Sequence, residues 1–161
     1  MLTVQGYLQQ RNVTCKEYQH SPACTATART EALVRIHGVD PLDVVKVLLL
    51  RAGRFRNKWS LAIIPAGRRL SMNTASQSIG RECRLATEQE IRKMFPWCSL
   101  GCLPALGGLL RIPQYIDPDV CQRQVIIFSA GEPAHSVEVS LDELINVEPD
   151  VEVKALCRVA I

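Results

Sequence analysis

The chain has no stretch approaching the roughly 18 apolar residues that a membrane-spanning helix needs. Its densest run, Val44 to Leu50, is interrupted by Lys46. Residues 1–11 lack the basic region and apolar core of a secretory signal, so nothing points to export and a cytoplasmic protein is expected. No Cys-x-x-Cys occurs among the seven cysteines, which are Cys15, Cys24, Cys83, Cys98, Cys102, Cys121 and Cys157. An odd count at scattered spacing argues against a secreted disulfide scaffold. Most of them read as small buried apolar side chains in a reducing compartment. Cys98 and Cys102 are near enough in sequence to share a metal, but no His lies near them and no second pair exists; no metal or other cofactor is expected. A large excess of one sign of charge is also lacking. The net charge is +3, whereas a duplex-binding protein usually carries a dense basic face, so no DNA partner is expected. The basic residues gather only as Arg51, Arg54, Arg56, Lys58 and then Arg68, Arg69. That grouping reads first as a solvated hairpin tip with its adjoining loop, and second as a contact with a nucleic-acid backbone.

What is present fits a globular protein. The 161 residues are 47% hydrophobic and 22% charged, with no repeat, low-complexity tract or linker, which predicts one domain over 1–161. Leu2 to Gln10 has helical spacing, and Thr14 to His20 alternates as a strand does. Thr25 to His37 reads as a helix stopped by Gly38, and Asp40-Pro41 opens a short helical turn. Val44 to Arg51 and Trp59 to Pro65 are strands around a polar hairpin loop, 52–58. Ser71 to Ile79 is a helix closed by Gly80, and Arg81 to Leu85 is a short strand. Thr87-x-x-Glu90 and Ser140-x-x-Glu143 have capping-box spacing and start two further helices. Leu109 to Ile116 reads as a strand, with Pro113 suggesting an edge or a bulge. Gln124 to Ser129 and His135 to Val139 are strands about a Gly-Glu-Pro turn. Residues 151–161 are ambiguous. Helices and strands mix without regular alternation, which predicts an α+β fold.

Chemistry concentrates in three places. Lys46 places an ammonium in an apolar strand, which is costly unless the group is paired, lines a cavity or reaches water at a strand end. Residues 101–108, Gly-Cys-Leu-Pro-Ala-Leu-Gly-Gly, can turn backbone N–H groups toward one point to hold an anion or a developing oxyanion, or can simply form an apolar loop crossing the core. His135, just past the turn 130–134, is set to face a pocket rim or to serve as a hydrogen-bonded structural histidine. His20, before Pro22, is a pocket-edge or loop residue, and His37 suits a helix C-terminus. The sequence contains neither Gly-x-Ser-x-Gly nor His-Glu-x-x-His, neither a P-loop nor a dinucleotide fingerprint, and no convincing Cys–His pair near one another. With no evident side-chain nucleophile, water is the expected attacker, helped by oxyanion donors.

These places, taken in order, resemble the YbaK family, which is related to the editing domain inserted in bacterial prolyl-tRNA synthetases. The resemblance runs from about Tyr7 to about Val147. It rests on Tyr18-Gln19-His20-Ser21-Pro22 with Thr25-Ala26, on Val44-Val45-Lys46-Val47-Leu48, on Ile64 to Leu70, on the loop Gly101 to Gly107 and on Ala130 to Ser136. It implies an α+β fold with a mixed, strongly curved β-sheet and flanking helices. It implies hydrolysis of an amino acid wrongly esterified to tRNA, a small one such as Ala or Cys, with proline tRNA as carrier. Aminoacyl-tRNA would be the partner, through its acceptor end, with an aminoacyl-tRNA synthetase as a second candidate partner. Lys46, Gly101 and His135 are the implied catalytic residues, His135 by shaping the aminoacyl pocket. His20, Cys102, Leu103, Pro104, Gly107, Gly131 and Ser136 are the implied substrate-binding residues, with amides of Gly101, Cys102 and Leu103 as donors. The chain departs from the family in having Ala105 where Pro is usual and Gly67 and Ser71 where Asp is common. Those departures, and an apolar ending at Cys157 to Ile161 that reads as a domain cut from a longer protein, keep a second reading open: a non-catalytic aminoacyl- or nucleotide-sensing module.

Overall fold

The computed structural model describes residues 2–52 and 58–158. Helix α1 (Val4–Gln10) begins at Thr3, whose hydroxyl accepts from the Gly6 N–H. Strand β1 (Cys15–Gln19) leads to α2 (Ala26–His37), capped by Thr25 and stopped by Gly38 in the left-handed conformation. A 3-10 turn, Pro41–Asp43, precedes the hairpin of β2 (Val45–Ala52) and β3 (Lys58–Pro65). Of the basic hairpin tip, Arg54 and Arg56 lie outside the described residues. Helix α3 (Met72–Ile79), strand β4 (Cys83–Leu85) and helix α4 (Glu88–Met94) follow. Both halves of the capping box form between Thr87 and Glu90; at Ser140 the hydroxyl accepts from the Glu143 N–H. The chain closes with α5 (Gly107–Leu110), β5 (Gln114–Ile116), β6 (Val125–Ser129), β7 (His135–Ser140), α6 (Leu141–Val147) and β8 (Val151–Val153).

Two expectations require correction. Residues 109–116 are not one strand: Gly107–Leu110 forms a helical turn, and only Gln114–Ile116 is extended. Pro113 does not mark an edge either. It precedes the first strand residue, where a missing N–H removes no ladder bond, and its carbonyl accepts from Leu61 N–H at 2.9 Å. β5 is an interior strand, parallel both to β3 and to β8.

The fold is α+β with a mixed sheet. The strands fall into two ladders, an antiparallel β1-β7-β6 and a mixed β4-β2-β3-β5-β8. Among the described residues a single parallel bridge, Val44 to Ile127, joins them. On its β6 side, β2 is paired only at this bridge and again with β4 from Leu50 to Ala52. One face of β2 sends Val45 into the main core with Ile63, Ile126, Phe128, Val137 and Leu144. Each such fully buried Leu, Ile or Val contributes about 1.5–3 kcal/mol of burial free energy. The other face carries Val44 against Leu33 and Ile127, under α2, and Leu48 and Leu50 against Ala75, Leu156 and Cys157. Lys46 alternates onto that second face, between these two clusters. Among the described residues no helix is long and apolar enough to cross a membrane.

Candidate active site

Strand pairing assembles a row of polar side chains across four strands. Directly paired residues share a sheet face. Tyr18 on β1 pairs with Ser136 on β7, and Ser136 pairs with Ser129 on β6. From the Val44–Ile127 bridge, two residues along both parallel chains bring Lys46 level with Ser129, on the same face. Ser129 and Ser136 are 1% and 0% exposed in strands otherwise filled by Val, Ile and Phe, so hydroxyls here need partners. Ser129 Oγ donates to the Glu132 carbonyl and accepts from Gly131 N–H, both at 3.2 Å. The sequence reading missed Ser129; its available signal was a serine closing a strand of the pattern Val-Ile-Ile-Phe.

His20 reaches the same row. Its Nε2 is 2.8 Å from Ser136 Oγ, and its Nδ1 is 2.8 Å from the Ser21 carbonyl. A carbonyl only accepts, so Nδ1 carries the proton and, in the neutral ring, Nε2 accepts from the Ser136 hydroxyl. Burial, with Arg29, His135 and His37 adding repulsion, holds its pKa below 6.5 against the opposing bond to Ser21. Lys46 is half-buried and makes no ion pair among the described residues. Burial lowers its pKa from 10.5, and Arg69 acts in the same direction against Cys157. Among the described residues the group has no counter-ion, and it stands at the end of a polar row.

The glycine loop is held against the segment after β1 and the turn between β6 and β7. Gly101 has φ of +77°, and a Cβ there would stand 1.8 Å from the Cys24 carbonyl oxygen, so only glycine fits. Ser99 N–H bonds the Gly131 carbonyl at 3.0 Å, Ala23 N–H the Pro133 carbonyl at 3.0 Å and His20 N–H the Ala134 carbonyl at 2.9 Å. Three segments far apart in sequence, 20–24, 97–104 and 130–136, are thereby tied together. A cavity of about 1000 Å³ opens beside them, lined by Cys24, Glu88, Arg92, Cys98, Gly101 and Pro133. Within the loop, the Cys102 N–H is engaged by the Ser99 carbonyl at 3.0 Å and is no free donor. The Cys102, Leu103 and Pro104 side chains are buried, the first two among Leu49, Leu61 and Phe95. Gly107 begins α5, where a Cβ would meet the Ile112 carbonyl at 2.6 Å, and packs beside Gln114. Burial pushes the Cys98 thiol up to about 12.

His135 lies apart from this row. It is the neighbour of Ser136 in β7 and pairs with Gln19, so it occupies the opposite face. There it bonds Glu132 and lines a cavity of about 580 Å³ with Thr3, Glu17, Gln19, Trp97 and Gly131. Gly131, with φ of +98°, packs against Trp97 and lies between this cavity and the glycine loop. Of the residues expected at the site, the structure groups Lys46, His20 and Ser136 around one sheet face, sets Gly101 against Cys24 and Arg29, and leaves His135 on the other face. A third cavity, of about 860 Å³, flanks α2 along Thr27, Val34, Leu42, Pro65 and Gly67, where Arg68 pairs with Asp119 and Arg123 with Asp40 and Asp43.

Comparisons with known proteins show the family and the fold. A family model described as aminoacyl-tRNA editing domain matches residues 24–147. The hypothetical protein APE2540 superposes with a TM-score of 0.81 at 20% identity, over 96% of this chain and 99% of its own. A proposed trans-editing enzyme for prolyl tRNA synthetase superposes with a TM-score of 0.77 at 23% identity, over 97% and 95%. A proposed signal transduction protein from Marinobacter aquaeolei VT8 gives 0.64 at 16% identity, covering 92% of this chain and 30% of that longer one.

Proposed function

Because the chain belongs to the aminoacyl-tRNA editing domain family, we propose that it is a hydrolase of mischarged aminoacyl-tRNA. The observation that carries this reading is Lys46, without an ion pair among the described residues, at the end of the Tyr18–Ser136–Ser129 row. In this reading water attacks the ester carbonyl carbon. The bond from that carbon to the ribose oxygen breaks, and the amino acid and the free tRNA hydroxyl leave. Lys46 stabilises negative charge near the ester or the terminal nucleotide. The Gly101 and Leu103 amides serve as oxyanion donors, since the Cys102 amide is engaged within the loop. His20 and Ser136 form the polar wall, and His135 shapes the aminoacyl pocket through the 130–135 turn. The neighbouring ribose hydroxyl activates the water, so tRNA ending in a deoxyribose without that hydroxyl is deacylated far more slowly. A normal rate on that substrate would remove the step.

Small amino acids such as Ala or Cys on proline tRNA are the proposed substrates; the structural likeness to the proposed prolyl trans-editing enzyme supports this choice. A synthetase partner and a cytoplasmic location follow from the same substrate. The test is deacylation of tRNAs charged with Ala, Cys, Ser, Thr and Pro, by the wild type and by Lys46→Ala. Release of one amino acid that the variant loses supports the reading. A second reading, a ligand-sensing module without turnover, draws on the signal transduction protein in which a domain of this shape is 30% of the chain. Binding of charged tRNA without hydrolysis would favour it.

A further inference from the structure

Arg29 reads in the sequence as one more base on a helix, yet it is 3% exposed. On α2 it shares the buried face with Ala32 and Leu33, so the helix drives it inward. A guanidinium out of water is normally met by a carboxylate. Among the described residues Arg29 makes no ion pair, and its Nε has no hydrogen-bond partner. Its Nη2 donates instead to the Gly101 carbonyl at 2.7 Å and approaches Cys102 Sγ at 3.7 Å. The contact joins residues 72 apart in sequence. On its other side Gly101 stands against the Cys24 carbonyl, at a distance that no side chain tolerates.

We infer that Arg29 is the positioning residue of the glycine loop, holding Gly101 against the segment before α2 and so fixing the loop amides relative to the Lys46 face. The inference rests on the hydrolase reading for its catalytic consequence, although the clamp itself is independent of it. A single carbonyl acceptor is thin compensation for a buried cation, and the loop's placement is what the structure gains from it. Lys at this position could donate to the same carbonyl as a point charge but could not keep a planar guanidinium over Cys102. Met would keep the stem and lose the donor.

The experiment compares the wild type, Arg29→Lys and Arg29→Met as full chains in two measurements. Amide hydrogen exchange over 99–103 is read against exchange in β5 and β8, which share no hydrophobic cluster with residues 99–103. Single-turnover deacylation of the mischarged tRNA is followed across enzyme concentrations. The expected result is faster exchange confined to 99–103 in the Met variant and protection partly restored in the Lys variant. The maximal deacylation rate should fall by about 100-fold for Met, the scale of a misplaced catalytic group, with half-saturation within about twofold. Unchanged loop exchange in a folded Met variant would overturn the clamp, and so would equal loss of protection across β5 and β8. If the wild type hydrolyses no charged tRNA, the hydrolase reading fails and the exchange comparison alone decides the clamp.

Discussion

His20 Nε2 and Ser136 Oγ stand 2.8 Å apart although 116 residues separate them, and the Ser21 carbonyl at Nδ1 fixes which nitrogen is free to accept. A charged His20 would have to give up the hydrogen bond it accepts from Ser136, because both ring nitrogens are then donors. Because burial depresses its pKa in the folded chain, the unfolded chain takes up the proton first as pH falls below 6.5. The stability contribution is therefore complete above pH 6.5 and is lost as pH falls from there through the depressed value. Denaturant unfolding at a series of pH values should show this slope, and His20→Gln should flatten it. A slope unchanged in the variant would exclude His20 as its source.

Gly101 and Gly38 both adopt positive φ, but only Gly101 is hemmed in. Gly101→Ala is expected to cost about 2–4 kcal/mol, through backbone strain and collision with the Cys24 carbonyl. Gly38→Ala, with nothing within 4 Å, should cost roughly 1–2 kcal/mol, the strain alone. Urea midpoints of the two variants test the difference, and equal midpoints would refute the close-approach argument.

Asp117 holds the C-terminal segment in place. Its buried carboxylate accepts from the Leu156, Cys157 and Asp119 N–H groups at 2.9, 3.1 and 3.0 Å. Leu156 and Cys157 belong to the cluster that covers β2 beside Lys46. Asp117→Ala should cost about 2–4 kcal/mol, since three charge-assisted bonds vanish. It should also speed amide exchange at 156–157 before any other part of the chain responds. Retained protection there would show that the segment is held by packing alone.

The two faces of β7 give a contrast at neighbouring residues. His135→Ala is expected to lower deacylation by less than about tenfold, against about 100-fold or more for Lys46→Ala, because only Lys46 lies on the face with Ser136 and Ser129. Equal losses in single-turnover rate would place His135 at the reacting atoms after all.

Much of the local structure was legible because local chemistry set it. Thr25 and Gly38 delimit α2, and Thr87 with Glu90 opens α4, by side-chain and backbone rules that act within four residues. The strand expected at 109–116 was misread because Leu109 and Leu110 suit either state, and the turn at Gly107 was settled by packing. That β5 lies inside a sheet, parallel to strands from both ends of the chain, is invisible to any local pattern. The site divides in the same way. Lys46 and Gly101 stood out because each breaks the composition around it. Ser129 and Arg29 gain their meaning only from partners distant in sequence, and an arginine on a helix with exposed neighbours gives no sign that it faces inward.

Where the two ladders part, one edge of β2 lacks a strand partner among the described residues. Between the bridge at Val44 and the pairing that resumes at Leu50, β3 engages one edge of the strand, and no ladder is recorded on the other among the described residues. In an antiparallel pair every second residue turns its peptide N–H and C=O away from its partner, so this edge carries donors and acceptors on either side of Lys46, toward Ser129. Peptide groups are the same whatever the side chain. Any ligand that lies along this edge is therefore read by the polypeptide itself, in a script that substitutions at Val45, Val47 or Leu48 cannot rewrite.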